Sequence, residues 1–315
     1  VISSWIRDFI VGRKQRVVLG ENMSNWVTVD SGVPQGSVLG PLLFILYIKD
    51  LPEIISYPMK LYADDNKIIA VEDENNDTKH RLQNDIEMMQ KWSRTWQMYF
   101  NMKKCKIMHF GKRNKRYKYY MKDQDGENVI LEETTCERDL GILISNDLKF
   151  SEQVMYATNK ANRVLDMIKN TFNKLDINIM SSLYKSLVRP HVEYCIQAWS
   201  PNLKKDIKTL EKVQKRATKM APQITKRTYS ERLRAFEITE LTERRTRGDL
   251  IEIFKVAYGI DRITWKSLAK FQNSRVIPNS DRNHKFRLIR EYVPNCSARH
   301  HFFLNRVCHD WNALG

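Results

Sequence analysis

The sequence lacks the patterns that direct a chain into a membrane or through the secretory pathway. No apolar run approaches the roughly 18 residues needed to cross a bilayer. The opening, VISSWIRDFIVGRKQRVVL, has no initiating Met and no signal-peptide layout; it is typical of an amphipathic helix entered partway, which predicts a chain truncated at its front. We therefore expect no membrane partner.

Cysteine is scarce and unpatterned. The five cysteines are an odd number without a CxxC pair, and they are spread over Cys105, Cys136, Cys195, Cys296 and Cys308. This usage argues against a disulfide framework and favours free thiols in a reducing compartment. Together with the missing targeting signals, it predicts an intracellular protein of the nucleus, the cytoplasm or both.

Acidic residues are outnumbered only in the later part of the chain. Residues 1–100 carry 11 Lys and Arg against 13 Asp and Glu, whereas residues 101–315 carry 42 against 24, which accounts for the overall charge of +16. A near-neutral front and a basic back favour a reaction centre followed by a surface that binds a polyanion such as nucleic acid. A solvated, Lys-rich helical surface is the plainer alternative, and membrane surfaces also attract basic helices.

The order of patterns predicts an α+β fold that becomes helical toward its end. Strand-like and helical stretches alternate over residues 1–111, strand segments and turns continue over 112–150, and helical spacing dominates 151–260. Residues 261–315 form a basic, irregular extension. Pro190 falls inside a helical pattern over about 176–197 and should interrupt it.

The stretch PMKLYADDNKIIAV places Asp64 and Asp65 between two short apolar runs. Asp and Asn tolerate tight hairpin turns, so a purely structural turn is one interpretation. The other is a metal site, because neighbouring carboxylates beside apolar strands repel one another unless a cation offsets them. A hard divalent cation such as Mg²⁺ prefers oxygen ligands of this kind.

A second stretch, SGVPQGSVLGPLLF, is a loop rich in glycine and proline that opens onto an apolar helix. Its backbone amides and the Gln35 amide can approach a nucleotide closely, with Gly36 and Ser37 in the same turn. Read alone, the stretch is equally compatible with an ordinary connection.

Together these two stretches resemble the reverse transcriptases of non-LTR (LINE-type) retrotransposons, most like the jockey and chicken-repeat branch. The resemblance continues through FNMKKCKIMHFGK, CERDLGILISNDLKFSEQV, LYKSLVRPHVEYCIQAWSP, RRTRGDLIEIFKV and the tail VPNCSARHHFFLNRVCHDWNALG, and so covers essentially the whole chain. It implies a partial right-hand polymerase palm over 1–111, a connecting primer-grip region over 112–150, a helical thumb over 151–260 and a basic C-terminal extension over 261–315.

The resemblance also implies roles for residues around the YADD turn. Asp64 corresponds to the principal catalytic, metal-binding aspartate, with Asp65 as its catalytic and metal-binding companion. Tyr62 would lie beside the primer terminus. Lys104 corresponds to the palm-strand lysine that meets the outgoing pyrophosphate.

Two other segments carry implied binding roles. Gln35, Gly36 and Ser37 fall where the family contacts the incoming nucleotide and the template, and Leu140 and Gly141 belong to the primer-grip turn. The implied ligands are an RNA template, a DNA primer, deoxynucleoside triphosphates and two Mg²⁺ ions used for phosphoryl transfer. No oligomeric state is predicted.

One carboxylate of the family pattern is missing. Family members carry a further aspartate on an upstream palm strand, in a motif that precedes the helix with which this sequence begins. Asp8, Asp30 and Asp50 are not credible replacements, because none lies in an apolar strand leading into a helix. We therefore expect weak metal occupancy and a chain that cannot polymerise alone; the alternative is a non-catalytic, nucleic-acid-binding remnant of such an element.

The run KRNKRYKYYMK over residues 112–122 leaves two interpretations open. Its Lys, Arg and Tyr residues could neutralise phosphates and stack bases. Equally, they could form a strand with solvated Lys and packed Tyr.

Overall fold

The computed structural model describes residues 1–72, 77–123, 125–261, 263 and 286–314. The chain divides into two compact units, Val1–Glu133 and Thr134–Gly315. The boundary lies inside the segment 112–150, and the finer four-part division expected from the sequence stays a prediction. Of the basic extension over 261–315, residues 261, 263 and 286–314 are described.

The first unit alternates short strands with helices. Its elements are α1 (Ile2–Ile10), β1 (Lys14–Gln15), β2 (Val18–Leu19), β3 (Asn22–Met23), β4 (Val27–Thr28), α2 (Leu39–Ile48), β5 (Met59–Tyr62), β6 (Asp65–Ile68), α3 (Thr78–Thr95), β7 (Lys106–Met108), β8 (Tyr120–Lys122), β9 (Asn128–Ile130) and β10 (Glu132–Thr134), the strand in which the unit ends. Single turns of 3₁₀ helix cover Leu51–Ile54 and Met102–Lys104.

Two small apolar clusters hold the first unit together. In α3 the buried residues Ile86, Met89 and Trp92 recur at helical spacing, and Asp77 caps the helix by accepting a hydrogen bond from the His80 amide. Met89 and Trp92 join Ile48 and Leu51 in one cluster. Ile86 joins the second cluster, which also contains Met121 of β8 and Tyr119, the residue just before that strand.

The second unit begins with a hairpin and continues as helices. Its elements are β11 (Cys136–Asp139), β12 (Ile142–Ser145), α4 (Ser151–Thr171), α5 (Ile177–Leu183), α6 (Arg189–Glu193), α7 (Ile196–Trp199), α8 (Lys204–Thr218), α9 (Tyr229–Phe236), α10 (Leu241–Ala257), α11 (Ser297–His300) and α12 (Phe303–Asn312). One large cluster of buried residues runs from Ile142 to Leu241, and a smaller one joins α10 to α12.

The helical stretch around Pro190 is interrupted, as expected, but through a change of hydrogen-bond register. Residues Tyr184–Val188 form a π-helical turn between α5 and α6, and the Arg189 amide donates to the Tyr184 carbonyl. Proline cannot donate a backbone hydrogen bond, and the wider turn accommodates that loss without ending the helix. The chain turns only later, at Cys195, whose φ is 52°.

The described strands combine in pairs only: β1 with β4, β2 with β3, β5 with β6, β7 with β10, β8 with β9, and β11 with β12. The fold is therefore α+β with small sheets and many helices, which confirms the expected class at that level. Within the part of the chain that the structure describes, no helix is both long enough and apolar enough to traverse a bilayer.

Candidate active site

The YADD stretch forms the predicted hairpin. Strands β5 and β6 are antiparallel, Tyr62 pairs with Asp65, and Ala63 and Asp64 form the two-residue turn. Ala63 has a φ of 51°, in the left-handed region that a residue with a Cβ rarely adopts. Both aspartates are exposed. The turn therefore presents two neighbouring carboxylates to solvent.

Alternation along the two strands decides which side chains share a face. Met59, Leu61 and Ile68 pack against the cluster around Ile48 and Trp92. Tyr62 and Asp65 form a cross-strand pair on the opposite face, where directly paired side chains lie within about 5.5 Å of each other. The tip is therefore fixed by an apolar inner face, while an aromatic ring and a carboxylate lie side by side outside.

Helix α3 also holds the entrance to the hairpin. Asp85, which is almost fully buried, accepts hydrogen bonds from the Ser56 amide (3.0 Å), the Ser56 hydroxyl (3.0 Å) and the Tyr57 amide (3.0 Å). Arg81 donates from Nε to the Ser56 hydroxyl at 3.0 Å and lies over the Tyr57 ring. This clamp fixes the backbone just before β5 and thereby positions the YADD turn.

The loop around Gln35 is shaped by Ser37. Its hydroxyl donates to the Pro34 carbonyl at 2.7 Å and accepts from the Gly40 amide at 2.9 Å, which joins the loop to the first turn of α2. A Cβ on Gly40 would lie 2.7 Å from the Pro34 carbonyl oxygen, so only glycine fits. Gln35 and Gly36 are exposed. The described contacts thus use Ser37 within the loop and leave its two neighbours facing solvent.

The loop and the hairpin are connected through α2. Phe44 and Ile48, one turn apart on that helix, pack in the same cluster as the inner face of the hairpin. The opposite face, with Leu42, Ile45 and Leu46, is about half exposed. One apolar helix therefore links the two predicted site segments.

Lys104 is exposed, but it is not on a strand. The prediction of a palm strand over FNMKKCKIMHFG was wrong at this residue, because Lys104 ends the 3₁₀ turn Met102–Lys104 and the strand begins at Lys106. Met102 and Cys105 pack into the cluster with Ile86. The tight turn places these apolar side chains inward and leaves the lysine in solvent.

The basic and aromatic run over 112–122 follows the packed interpretation at its centre. Tyr119 and Met121 are buried against Ile86, while Lys118, Tyr120 and Lys122 are exposed. Burial raises the pKa of the Tyr119 phenol to about 12, and the Glu72 carboxylate adds to this shift. Tyr119 is therefore a core residue and not a stacking surface.

In the second unit, Leu140 and Gly141 form the two-residue turn between β11 and β12. Both have positive φ, 45° and 90°, as a type I′ hairpin turn requires. The Tyr194 hydroxyl donates to the Leu140 carbonyl at 3.1 Å, and a Cβ on Gly141 would lie 3.3 Å from the Tyr194 ring. The turn is thus held against α6 by one tyrosine.

A basic cavity of about 260 Å³ lies beside this turn and is called here the Tyr156 cavity. Its lining residues are Arg138, Gly141, Gln153, Tyr156, Ala157, Lys160, His191 and Tyr194. The Arg138 guanidinium lies 5.7 Å and the Lys160 ammonium 4.9 Å from the centre of the Tyr156 ring. A hydrogen bond with Lys160 lowers the pKa of the Tyr156 phenol. Two cations close to one aromatic ring can neutralise a nucleic-acid backbone beside a surface that contacts a base or sugar.

The hairpin, the Gln35 loop, Lys104 and the Leu140–Gly141 turn all lie within one match to a known family. The profile of the family described as reverse transcriptase (RNA-dependent DNA polymerase) covers residues 1–144. This part of the chain, somewhat less than half of it, is similar to the reverse transcriptase family.

Curated relatives of the reverse transcriptase segment come from mobile elements. The chain is 26% identical over 227 residues to a probable RNA-directed DNA polymerase from transposon X-element of Drosophila melanogaster, covering 68% of this chain and 24% of that protein. It is 26% identical over 211 residues to the RNA-directed DNA polymerase from mobile element jockey of Drosophila funebris (62% and 22%), and 25% identical over 223 residues to a probable RNA-directed DNA polymerase from transposon BS of D. melanogaster (67% and 24%).

These matches confirm the resemblance to jockey-type elements. The chain spans about a quarter of the length of the relatives it matches. No solved structure matches it.

The carboxylates of the reverse transcriptase segment do not by themselves fit a two-metal site. Within the residues described, no group of three or more His, Cys, Asp or Glu side chains is arranged to hold a metal ion. Asp85 is occupied by the backbone before β5, and Asp50 accepts a hydrogen bond from the Trp92 indole at 3.2 Å. Asp64 and Asp65 are left as one adjacent pair, whereas two ions about 4 Å apart need further bridging carboxylates.

Several residues that shape these sites were missed by the sequence reasoning. Asp85 and Arg81 clamp the hairpin, and Arg138, Tyr156 and Lys160 form the cavity beside the Leu140–Gly141 turn. The spacing of Tyr156 and Lys160, four residues apart on a helix, was a usable signal, because such residues share a face. Asp85 offered none, since its partners lie 28 and 29 residues earlier in the chain.

Proposed function

We propose that this chain is part of an RNA-directed DNA polymerase of a non-LTR retrotransposon, which copies an RNA template onto a DNA primer from deoxynucleoside triphosphates. The observation that carries the proposal is the exposed Asp64–Asp65 pair on a core-anchored hairpin inside the segment that matches reverse transcriptases. In the same proposal the first unit contributes to a polymerase palm, and the helices of the second unit contribute to a thumb.

Around the turn, the proposed roles are those that the resemblance implies, and the exposure and chemistry of the residues are compatible with them. Asp64 and Asp65 supply oxygen ligands to Mg²⁺, which in complete enzymes of this class lowers the pKa of the attacking hydroxyl and neutralises the triphosphate. Tyr62, paired with Asp65, offers an exposed ring to the primer terminus. Gln35 and Gly36 contact the nucleotide and template from a loop that Ser37 shapes, and Lys104 is available to pyrophosphate.

The small number of carboxylates at the turn supports a second part of the proposal, namely that this chain alone does not polymerise. Two adjacent aspartates are too few ligands for a pair of divalent ions, so metal occupancy is weak. The apolar outer face of α2, about half exposed, supports the view that a complete polymerase covers more of this unit.

The Tyr156 cavity is the proposed contact with the primer strand. It joins the Leu140–Gly141 turn to the cations of Arg138 and Lys160, so phosphates of a strand that follows this surface can be neutralised there. The Tyr156 ring close to both cations provides an apolar surface for a base or sugar.

Primer binding is tested by titrating the chain with a labelled RNA–DNA primer-template at several salt concentrations. We expect the double variant Arg138→Gln, Lys160→Gln to bind more weakly and to reduce the magnitude of the log–log salt slope by about 2, since about one counterion is released per phosphate contact. Lys169→Gln, on an exposed position of the same helix, is the matched control. Equal slopes for all three proteins would contradict a phosphate-binding role for the Tyr156 cavity.

Catalysis is tested by primer extension with Mg²⁺, both for the chain alone and for a chimera. In the chimera, residues 1–144 replace the matching segment of the jockey polymerase. We expect no incorporation by the chain alone, and incorporation by the chimera that disappears in Asp64→Asn. Incorporation by the chain alone that Asp64→Asn abolishes would contradict its proposed inactivity.

The alternative function is a nucleic-acid-binding remnant without catalysis, and the Tyr156 cavity is the observation in its favour. This alternative function predicts that a chimera which folds and binds primer-template still fails to extend the primer. Thermal unfolding and binding measurements on the chimera separate that result from simple misfolding.

A further inference from the structure

A second polar cavity lies in the helical unit, away from the Leu140–Gly141 turn. It has a volume of about 170 Å³ and lies where α10 meets α12 and the segment after α7; its polar lining residues include Ser200, Thr242, Arg245, Thr246, Asp249 and Arg306. A volume of this size holds several water-sized groups, so a tetrahedral oxyanion fits. It is called here the Arg245 cavity.

Arg245 is the unusual residue of this cavity. It is only 5% exposed; its Nη2 donates to the Thr242 hydroxyl at 2.8 Å, while its Nη1 has no hydrogen-bond partner among the described residues. Burial lowers the pKa of this guanidinium, although arginine stays a cation at neutral pH. A buried, charged donor without an acceptor costs more free energy than an ordinary lost hydrogen bond, so an acceptor from a water molecule or a ligand is expected here.

The nearby carboxylates are already hydrogen-bonded to other groups: Glu211 accepts from the Tyr229 hydroxyl and the Leu241 amide, and two others are paired with arginines. Asp249 receives two hydrogen bonds from Arg306, at 2.8 and 2.9 Å, and Arg306 also donates to the Gln197 carbonyl at 2.7 Å. Glu193 receives two hydrogen bonds from Arg244. The Nη1 of Arg245 therefore has no acceptor among the described residues, and because this atom is itself buried, a ligand in the cavity reaches it only if the lining side chains move slightly.

The chemistry of the cavity selects the ligand. A guanidinium edge next to threonine and serine hydroxyls is a donor set suited to the oxygens of a phosphate group. The carboxylates of Asp249 and of Asp310, which also lines the cavity, make a multiply charged anion unfavourable. A phosphate group with a single negative charge, as in a phosphodiester, meets both conditions.

We propose that the Arg245 cavity binds a singly charged phosphate group through the free edge of the Arg245 guanidinium. This inference does not rest on the polymerase function, because a small phosphate diester is a sufficient ligand. If the source is a nucleic-acid strand, the cavity adds a phosphate contact on the helical unit that is separate from the Tyr156 cavity.

The test is thermal unfolding of the full chain with dimethyl phosphate, a small monoanionic diester, compared with chloride at the same ionic strength. We expect a saturable rise in the melting temperature of about 2–4 °C once the probe is in roughly tenfold excess over its Kd. Arg245→Met should abolish the rise, and Arg245→Lys should weaken it, since an ammonium lacks the planar fork. Arg247→Met, at an exposed position of the same helix, should keep the full rise.

Two results would overturn the proposal: a wild-type chain that does not respond to dimethyl phosphate, or an Arg245→Met chain that responds as the wild type does. If Arg245→Met does not fold, Arg245→Lys and Thr246→Val supply the comparison. A short single-stranded oligonucleotide forms the second arm. Competition between it and dimethyl phosphate, lost in Arg245→Lys, assigns a nucleic-acid source, whereas a response to the small diester alone assigns a free phosphate compound.

Discussion

The two compact units differ mainly in how much apolar surface each buries. The second unit contains one cluster of 22 buried residues, whereas the two clusters of the first unit contain four and three among the described residues. The first unit also leaves Leu42, Ile45 and Leu46 of α2 about half exposed. Because buried apolar area is the main source of stability, the second unit should be the more stable of the two.

The difference also separates two kinds of site. In the first unit the candidate catalytic groups lie on turns and loops that a thin core supports, at Gln35, Asp64 and Lys104. In the second unit the Tyr156 and Arg245 cavities are lined mainly by residues of helices, and each lining includes a buried residue of a core cluster, Ala157 and Val307 respectively. Sites on well-packed helices keep their geometry more easily than sites on loops. The predictions that follow test this contrast.

The largest effect is expected in the core of the second unit. Leu165 of α4 is fully buried in the large cluster, and Leu165→Ala should cost about 4 kcal/mol because it leaves a cavity that dense packing cannot close. Met89→Ala, in the small cluster of the first unit, should cost about 2 kcal/mol. Denaturant unfolding measures both, and Met167→Ala at an exposed position of α4 is the control with little effect. Equal losses of unfolding free energy in Leu165→Ala and Met89→Ala would contradict the proposed difference between the two units.

The next effect concerns the clamp on the hairpin. Asp85→Ala leaves the Ser56 and Tyr57 amides without their acceptor, which should lower the unfolding free energy of the first unit by about 3 kcal/mol. The strands β5 and β6 should also become more sensitive to proteolysis. Asp85→Asn keeps part of the acceptor set and should cost less, while Asn84→Ala, on the exposed side of α3, is the matched control. A hairpin equally protected in Asp85→Ala would mean that the apolar inner face alone holds it.

A smaller effect should appear at high pH. The Tyr119 phenol ionises near pH 10 in the unfolded chain, but its pKa is raised to about 12 in the folded one, first by burial and then by Glu72. Its contribution is therefore fully present below about pH 10 and is lost as the pH rises to about 12, with a loss on the order of 1 kcal/mol after solvent screening. Tyr119→Phe should remove this part of the pH dependence. The measurement is the difference in unfolding free energy between the two proteins across that interval, and a constant difference would contradict it.

The smallest effect is expected at the tip of the hairpin. Ala63 has a φ of 51°, which costs a residue with a Cβ about 1–2 kcal/mol. Ala63→Gly removes this strain but makes the unfolded chain more flexible, so we expect a net gain of about 0.5 kcal/mol. Ala70→Gly, where φ is not positive, should have the opposite sign. A loss at Ala63 would show that its methyl group packs in the native state.

A good part of the fold could be predicted from local patterns in the sequence. Three elements follow from patterns within a few residues: the YADD hairpin, the loop that opens onto α2, and the long helix α3. Their turn residues mark where the chain reverses, and their apolar residues recur every 2 positions in strands or every 3.6 in helices. Lys104 was predicted on a strand because NMKKCKIMHFG was interpreted as a strand and the resemblance implies a palm-strand lysine at this position. The packing of Met102 and Cys105 decides for the turn.

The rest of the site depends on partners that are distant in the chain. Tyr194 meets the Leu140–Gly141 turn across 54 residues, and Arg306 meets Asp249 across 57. No local pattern distinguishes Arg245 from Arg244, its neighbour, although one is buried with a free edge and the other is paired with Glu193. Which of two adjacent arginines turns inward is decided by how α10 packs against the neighbouring helices.

The amino-acid sequence by itself determined the similarity of residues 1–144 to reverse transcriptases, the hairpin that carries Asp64 and Asp65, and the uneven distribution of charge along the chain. These properties follow from motifs and periodicities that act over short distances. Tertiary structure alone decided that Asp85 holds the hairpin, that Tyr119 lies in a core, and that Arg138 and Lys160 flank one aromatic ring. The physical reason is that burial and hydrogen-bond pairing belong to the packed chain, where residues far apart in sequence compete for the same few partners.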